Sequence, residues 1–396
     1  MRWALAAAVT LVLMVPGPAA AQRFDDIDPQ KPAPGWVFTP RVSFGVTFDN
    51  NPLFATSGNL KPEDTVTNVG PAVNLGYTGK HTSFDAGYNG SLVRYRTLEE
   101  YDSFDQGARV EFRHQPTRRL ALHASNAFTE APSTETVDLA GVPFVRTGIR
   151  QNQVTTGLSF QATKLLDVNA SYGHQWVEFD RAEEESAALL EGGRMHAITL
   201  DAKRSLNSRV RVGGAYTWRR ALVGQLEDVF NIQNAEGTIH VQLSPTLSLD
   251  GGAGFSYLSL PGEFGSRLGP AGHVALHKRT SVATYALTFG HSFVPSFGFG
   301  GSHRNSEIGG HVRAPLGRRA YTQGQIAWRK SSPVLERELG LTAIAVQTIV
   351  GYAVQRWLRV EGFYTGAFQD TPVAGGRADR NRFGVQVVTL RPMRLQ

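Results

Sequence analysis

The sequence contains no cysteine. This absence excludes disulfide scaffolds, cysteine-ligated zinc, iron–sulfur clusters and thiol catalysis. Charged residues are also scarce, at 19% of the 396 residues, whereas 42 residues are glycine and 10% are aromatic. Little charge together with many glycines and aromatics favours a protein built of many strands and tight turns.

Long hydrophobic runs are missing too, apart from one short run at the N-terminus. Met1-Arg2-Trp3 precedes an apolar stretch over 4–15, which is followed by two prolines and by Ala19-Ala20-Ala21. A positive residue, a short apolar core and a small-residue cleavage site are typical of a secretory signal peptide, so we predict one at residues 1–21. The proline-rich residues 22–36 are expected to form an extended periplasmic leader.

Beyond residue 21 no apolar run reaches the length of about 18 residues that a membrane-spanning helix needs. The mature chain could therefore cross a membrane only as a closed barrel. Apolar residues alternate with small or polar ones over 154–161, 210–219 and 358–365. A period of two predicts strands with one apolar and one polar face.

Two kinds of connection separate these strands in strict alternation. Eight short turns and nine long loops join 18 strands, and the pattern repeats about every 39 residues. The long loops at 130–147 and 180–193 are candidate constriction loops, the second with a helical turn at 183–190. The short turns are centred on 79–81, 116–118, 164–166, 206–208, 244–246, 278–280, 316–318 and 355–357.

A repeat near 40 residues also occurs in β-propellers, whose blades contain four short strands each. Here 280–293 and 339–355 run without clusters of turn residues, which fits two long strands per repeat. We therefore predict an all-β fold, a transmembrane antiparallel up-and-down barrel of about 18 strands over 37–391, followed by a short tail at 392–396. Aromatics near strand ends are candidates for interfacial girdles: Tyr77, Tyr95, Trp176, Trp218, Tyr257, Trp328, Trp357 and Phe368.

Charge is sorted by the type of connection. The net charge is +6, with basic residues in the short turns and acidic residues in the long loops. Cations spread around a ring do not form a nucleic-acid groove, so we expect no nucleic-acid partner. Basic turns suit anionic phospholipids, and acidic loops suit lipopolysaccharide bridged by divalent cations, although simple solvation of the loops is an alternative.

Residues 38–54, FTPRVSFGVTFDNNPLF, resemble the first strand and loop of outer-membrane β-barrel porins of the type 2 barrel porin family. The resemblance implies an outer-membrane barrel in a Gram-negative-type bacterium, inserted by the barrel-assembly machinery. Some relatives are associated with exopolysaccharide export, which would add a polysaccharide partner. The chain departs from the pattern at its C-terminal end, where Leu390 stands at the strand end and no terminal aromatic follows.

The polar strand faces supply candidate pore-lining residues of both signs. Opposed charges across a pore orient polar solutes, although cross-strand ion pairing would explain the same residues. The candidates are Arg109, Glu111, Arg113, Asp201, Lys203, Arg211, Arg219, Glu236, Arg313, Arg359, Glu361 and Arg382.

No constellation indicates catalysis, and no cofactor or metal is expected. His123 and Ser125 share a strand face, but Leu122 and Ala124 mark the lipid side, so both polar groups are expected to point into the lumen. The sequence contains no phosphate-binding loop and no dinucleotide fingerprint. We predict a non-enzymatic channel for small polar solutes or an export port for exopolysaccharide. The alternative is a closed structural or adhesive barrel whose acidic loops bind a ligand.

Overall fold

The computed structural model of the chain describes residues 34–56, 61–136, 139, 141–180, 190–224, 228–260, 262, 265–335, 339–371 and 376–395. The predicted signal peptide, nearly all of the leader and most of the predicted helical turn lie outside the described residues. No helix among the described residues is long and apolar enough to cross a membrane.

Eighteen long antiparallel strands form one closed sheet. Each strand pairs with its neighbours in the chain, and β1 also pairs with β18, from Arg41 opposite Leu390 to Asp49 opposite Arg382. The strands are β1 (Gly35–Asp49), β2 (Asp64–Thr78), β3 (Thr82–Tyr95), β4 (Ser103–His114), β5 (Leu120–Ala131), β6 (Ile149–Gln161), β7 (Leu166–Phe179), β8 (Gly193–Ser205), β9 (Val210–Val223), β10 (Asp228–Ser244), β11 (Leu247–Ser259), β12 (Ser266–Arg279), β13 (Thr284–Pro295), β14 (Ser302–Pro315), β15 (Ala320–Pro333), β16 (Leu341–Gln355), β17 (Leu358–Thr371) and β18 (Gly376–Leu390).

The predicted strand count, the up-and-down order and all eight short turns are confirmed. Because consecutive strands are antiparallel, the short turns lie at one end of the barrel and the nine longer connections at the other. Every strand pairs with a neighbour on each side, which excludes separate propeller blades. We call the two ends the short-turn end and the long-loop end.

The sheet extends slightly beyond the predicted barrel at both chain ends. β1 begins at Gly35, and a short strand β19 (Met393–Leu395) pairs with Trp36–Phe38. The predicted tail at 392–396 is therefore partly in the sheet. The physical reason is that β1 protrudes beyond the end of β18, and β19 covers what would otherwise be a free strand edge.

The two faces of the sheet differ as the alternation predicts. Along β1, Val42, Phe44 and Val46 are 48%, 52% and 44% exposed, whereas the intervening Ser43 and Thr47 are each 7% exposed. Exposed large apolar side chains occur on the outer face of nearly every strand. A soluble protein rarely exposes a continuous apolar belt, and this belt is the surface of a transmembrane barrel.

The aromatics at strand ends mostly face outward, as predicted. Trp36 and Tyr77, for example, pack together on the outer face at the short-turn end, with ring centroids 4.9 Å apart. The prediction for Tyr95 was wrong, because this residue is only 6% exposed and lies on the inner face of β3. Tyr95 is the last residue of its strand, and it is held there by Arg146 from another connection.

An arginine introduced into the apolar belt should destabilise the barrel more than an arginine introduced on the lumen face. Leu287 faces outward on β13 and is 45% exposed, whereas the next residue, Thr288, faces inward. We expect Leu287→Arg to lower the free energy of unfolding by about 2–4 kcal/mol, because the guanidinium would lie in hydrocarbon. Urea unfolding from phospholipid vesicles measures this value. Thr288→Arg is the matched control, and an equal loss in both variants would contradict the assigned faces.

Candidate functional site

A segment between β5 and β6 crosses the inside of the barrel. The Phe144 N–H donates to Gln369 Oε1 at 2.6 Å, and Gln369 Nε2 donates to the Phe144 carbonyl oxygen at 2.8 Å. Arg329 donates to the Leu139 carbonyl oxygen at 2.7 Å. Arg329 lies on β15 and Gln369 on β17, on the far wall from β5 and β6. We call the described residues of this connection, 132–136, 139 and 141–148, the crossing segment, and its position agrees with the predicted constriction loop at 130–147.

A buried group of charges fastens the crossing segment to the seam where the barrel closes. Arg380 on β18 donates to Asp49 on β1, with Nε–Oδ2 and Nη2–Oδ2 distances of 2.9 and 2.5 Å. Its Nη1 donates to Glu135 of the crossing segment at 2.7 Å, and Arg382 lies 3.0 Å from the same carboxylate. The side chains of Asp49, Arg380 and Glu135 are 0%, 3% and 6% exposed. Two cations and two anions are thus paired here, three of them buried and Arg382 partly exposed at 29%.

The barrel wall has a step between β12 and β13. The two strands pair only from Gly272 to Arg279 of β12, although β12 pairs with β11 over its whole length. From Ala271 toward the long-loop end the two strands are no longer paired, and β13 lies on the lumen side of β12. The Phe293 N–H donates to Ser256 Oγ on the inner face of β11 at 3.4 Å, and a Cβ on Gly269 of β12 would lie 2.9 Å from the Phe293 ring.

Residues 296–301 follow this step and enter the lumen. Ser296 Oγ donates to the Gly141 carbonyl oxygen of the crossing segment at 3.4 Å. Gly298 and Glu191 exchange two backbone hydrogen bonds of 2.7 and 2.8 Å. Burial of its carboxyl group, and then the charge of Asp228, raise the pKa of Glu191 above its usual range.

An apolar cluster packs around these inserted segments, on the side of the lumen lined by β5 to β13. It includes residues that are almost completely buried inside a barrel whose other inward positions are largely polar. Its members are Ala131, Leu139, Val142, Ile149, Val177, Ala221, Val223, Phe230, Ile232, Leu258, Leu260, Phe293 and Phe297.

A cavity of about 270 Å³ remains on the opposite side, between the crossing segment and the walls formed by β1–β4 and β16–β18. Arg146 stands over the Tyr95 ring, 5.1 Å from its centroid, and donates to the Tyr95 hydroxyl at 2.8 Å. Phe363 adds a second aromatic surface to the lining. The charged side chains that line this cavity are Asp49, Asp105, Glu135, Arg146, Arg380 and Arg382.

The twelve predicted pore-lining residues all lie at positions that alternate with the exposed apolar ones, so they face the lumen. They do not form one site. Arg382 lines the 270 Å³ cavity, and Lys203 and Arg211 line a second cavity of about 380 Å³ at the short-turn end. The others are spread along the wall: Arg109, Glu111 and Arg113 on β4, Asp201 on β8, Arg219 on β9, Glu236 on β10, Arg313 on β14, and Arg359 and Glu361 on β17. That they border a path for solutes stays a prediction.

Several of these wall charges are paired. Arg109 lies 3.3 Å from Asp85 on the neighbouring strand. Glu236 on β10 reaches His273 on β12 at 2.8 Å. A Cβ on Gly252 of the intervening strand would lie 2.5 Å from His273 and 2.7 Å from Glu236, so this contact requires glycine there.

Glu361 is fully buried on the inner face of β17. Its carboxylate accepts hydrogen bonds from Tyr321 and from Gln386 Nε2, the latter at 2.6 Å. Side chains on other strands therefore supply hydrogen bonds to the Glu361 carboxylate, just as side chains on other strands pair with Arg109 and Glu236. Because these charges are paired, the electric field that the barrel wall produces in the lumen is weaker than the number of charged residues indicates.

Sequence reasoning missed most of the cavity. Arg380 lies two residues before Arg382 on β18, so alternation places both on the inner face, and Arg380 could have been predicted as a pore-lining residue too. Glu135, in contrast, lies 245 residues from Arg380 in the chain, and Arg146 lies 51 residues from Tyr95. Nothing in a local pattern connects residues so far apart.

Neither a metal group nor a catalytic pair stands out among the described residues. No group of three or more histidine, aspartate or glutamate side chains is placed to hold a metal ion there. His123 and Ser125 lie on the inner face of β5, as predicted. His123 packs close to Gly157 of β6, whose Cβ position would be 2.7 Å from the imidazole.

Comparison with known proteins gives structural neighbours only. No family model matches the chain, and no curated protein does. Among solved structures, OccAB4 of Acinetobacter baumannii covers 91% of this chain and 98% of its own, with 9% identity and a TM-score of 0.46. OpdQ of Pseudomonas aeruginosa covers 90% and 99%, with 8% identity and a TM-score of 0.45. The outer membrane protein opdK of P. aeruginosa covers 90% and 99%, with 12% identity and a TM-score of 0.45. The description of this barrel rests on its own strand pairing and surface.

Removing the central cation of the buried charge group should destabilise the barrel strongly. Arg380→Met would leave the buried Asp49 without its cation and Glu135 with Arg382 alone, so we expect a loss of about 3–5 kcal/mol in the free energy of unfolding. Urea unfolding in detergent micelles measures this loss. The control is Arg377→Met, which breaks an exposed pair with Asp370 and should cost about 0–1 kcal/mol. Equal effects in the two variants would contradict a buried role for Arg380.

Proposed function

We propose that this chain is an outer-membrane channel for small polar solutes. The observation that carries the proposal is the cavity lined by charges of both signs inside a closed barrel with an apolar outer face. A closed barrel with a polar lumen is how water and polar solutes cross an outer membrane. The crossing segment narrows that lumen without removing its polar side.

The sorting of charge supports one orientation of the barrel. Outer-membrane barrels have short periplasmic turns and longer extracellular loops. The short turns here carry Lys80, Arg118, Lys164 and Arg318 among other cations, which would meet anionic phospholipids on the periplasmic side. The long-loop end would then lie among lipopolysaccharide, and insertion would be the work of the barrel-assembly machinery of a Gram-negative-type bacterium.

The arrangement of charges in the cavity favours solutes that are small and polar. Arg146, Arg380 and Arg382 share this space with three carboxylates, and such opposed charges create a field that aligns dipolar molecules. A polymer would need more room, since both the crossing segment and residues 296–301 occupy the lumen. For this reason we prefer a solute channel to an export port for exopolysaccharide.

One observation favours a second candidate, a closed structural or adhesive barrel. The apolar cluster fills the side of the lumen lined by β5 to β13, where dispersion contacts and the exclusion of water would hold the inserted segments in place. If that packing extended across the remaining cavity, no solute would pass. Conductance separates the two functions.

The purified, refolded protein should give discrete single-channel steps in a planar bilayer, because the cavity keeps polar side chains in contact with water. Gln369→Ala should enlarge these steps, since it removes both hydrogen bonds that hold Phe144 on the far wall. Single-channel recording in potassium chloride measures both effects.

The matched control for this variant is Gln325→Ala. Gln325 is also a lumen glutamine, but it donates to Gln347 on the wall at 2.7 Å and not to the crossing segment. We expect its step size to remain that of the parent protein. The absence of any steps from correctly folded protein would remove the channel and leave the closed barrel.

A further inference from the structure

Six residues of β12 present a free backbone edge on the outside of the barrel. Ser266–Ala271 pair with β11, and among the described residues no strand pairs with their other edge. Leu268 in this stretch and Phe255 on β11 are 69% and 65% exposed. The edge therefore lies on the membrane-facing surface, in the half of the barrel toward the long-loop end.

Because no strand of the described residues pairs with this edge, its backbone groups need polar partners from elsewhere. A backbone N–H or C=O that is left unpaired in hydrocarbon carries a large desolvation penalty. Pro270 has no N–H, which removes one donor from the edge. The remaining groups would be satisfied by the hydroxyls and amides of a glycolipid headgroup but not by an acyl chain.

Two cations stand beside this edge. Arg304 on β14 and Lys330 on β15 are exposed on the outer face, and Lys330 is directly opposite Ser306. Arg304 and Lys330 are thus diagonal neighbours, with Cα atoms about 7–8 Å apart. That spacing lets both side chains converge on one phosphate group. Neither cation is in an ion pair with a carboxylate of the described residues.

Other outward cations at the long-loop end differ in this respect. Three of them are held by carboxylates: Arg94 by Asp102 at 2.5 Å, Arg150 by Glu130 at 2.9 Å and Arg377 by Asp370 at 3.2 Å. Arg220 on the outer face of β9 is an exception, since it is also exposed without a carboxylate partner among the described residues, but at β14 and β15 two such cations lie side by side next to the free edge. Charge complementarity points to an anionic occupant.

The free edge and the cation pair are close enough for one molecule. Gly269 of β12 lies against the Phe293 ring of β13, and Phe293 is directly opposite Arg304 of β14. Between β12 and β14 lies His291 of β13, whose Nδ1 is 2.8 Å from Ser306 Oγ on the outer face. The outer wall from β12 to β15 thus offers backbone polar groups, a histidine–serine pair and two cations above an apolar surface that includes Phe289.

We propose that this wall binds a phosphorylated glycolipid of the outer leaflet, with the phosphate on Arg304 and Lys330 and the sugar groups against the free edge of β12. The acyl chains would lie over the apolar belt below. The inference rests on the outer-membrane placement that is part of the proposed function, but it does not require conduction.

Native mass spectrometry of the delipidated protein in detergent tests this site, with bisphosphorylated lipid A as the probe. We expect Arg304→Gln/Lys330→Gln to weaken binding by about 30-fold, since each cation near an anionic lipid surface contributes about 1 kcal/mol. Lys330→Arg should retain binding, and so should Arg377→Gln, whose cation is already paired. Lipid A without its phosphates should bind as weakly to the parent protein as lipid A does to the double variant.

Three results would overturn the proposal. They are unchanged binding by the double variant, equal binding of the dephosphorylated lipid, and a lipid-free dimer that lipid A does not dissociate, which would show that a second copy covers the edge. Single-channel recording of the same double variant keeps the two proposals apart. Its conductance should equal that of the parent protein, so failure of the lipid site would leave the channel untouched.

Discussion

The satisfaction of backbone hydrogen bonds without water is the constraint on which this structure depends. Because a strand inside a bilayer must pair on both edges, the sheet closes between β1 and β18. The same requirement accounts for β19, which pairs with the end of β1 that β18 does not reach. Ser266–Ala271 depart from this requirement, because one edge of this stretch is not paired with a strand of the described residues. Arg304 and Lys330, two cations without a carboxylate partner among these residues, lie next to it.

Closure of the sheet also sets the position of the crossing segment. Asp49 and Arg380 form an ion pair across the closing seam, and Glu135 of the crossing segment completes their charge group. A buried ion group of this kind is weak evidence of net stabilisation, because desolvation offsets much of the attraction. Its effect is to favour one position of the crossing segment, since displacement of Glu135 would leave two cations, Arg380 and Arg382, with Asp49 as their single carboxylate in this group. The closing seam between β1 and β18 and the crossing segment are therefore held together by the same group of charges.

Features that depend on neighbouring residues could be predicted from the sequence, and those that depend on distant ones could not. The alternation along β1, with Val42 and Phe44 outside and Ser43 inside, is local and fixes the face of every wall residue. The inward face of Tyr95 follows from the same alternation along β3, where Leu92 is outward, but its contact with Arg146 could not be predicted because Arg146 comes from another connection. The step at β12 has a local trace only in Gly269 and Pro270, which are poor strand formers, and neither indicates that β13 turns inward.

The step also explains how the lumen is divided. Because β13 passes behind β12, Phe293 and Phe297 reach the interior and join an apolar cluster on the side lined by β5 to β13. The charged cavity remains on the other side, between β1–β4 and β16–β18, and this is where the proposed channel would admit a polar solute. The wall from β12 to β15 adjoins the packed side and not the cavity. A lipid bound outside that wall would consequently stabilise the step without entering the solute path, so the two activities can be changed independently.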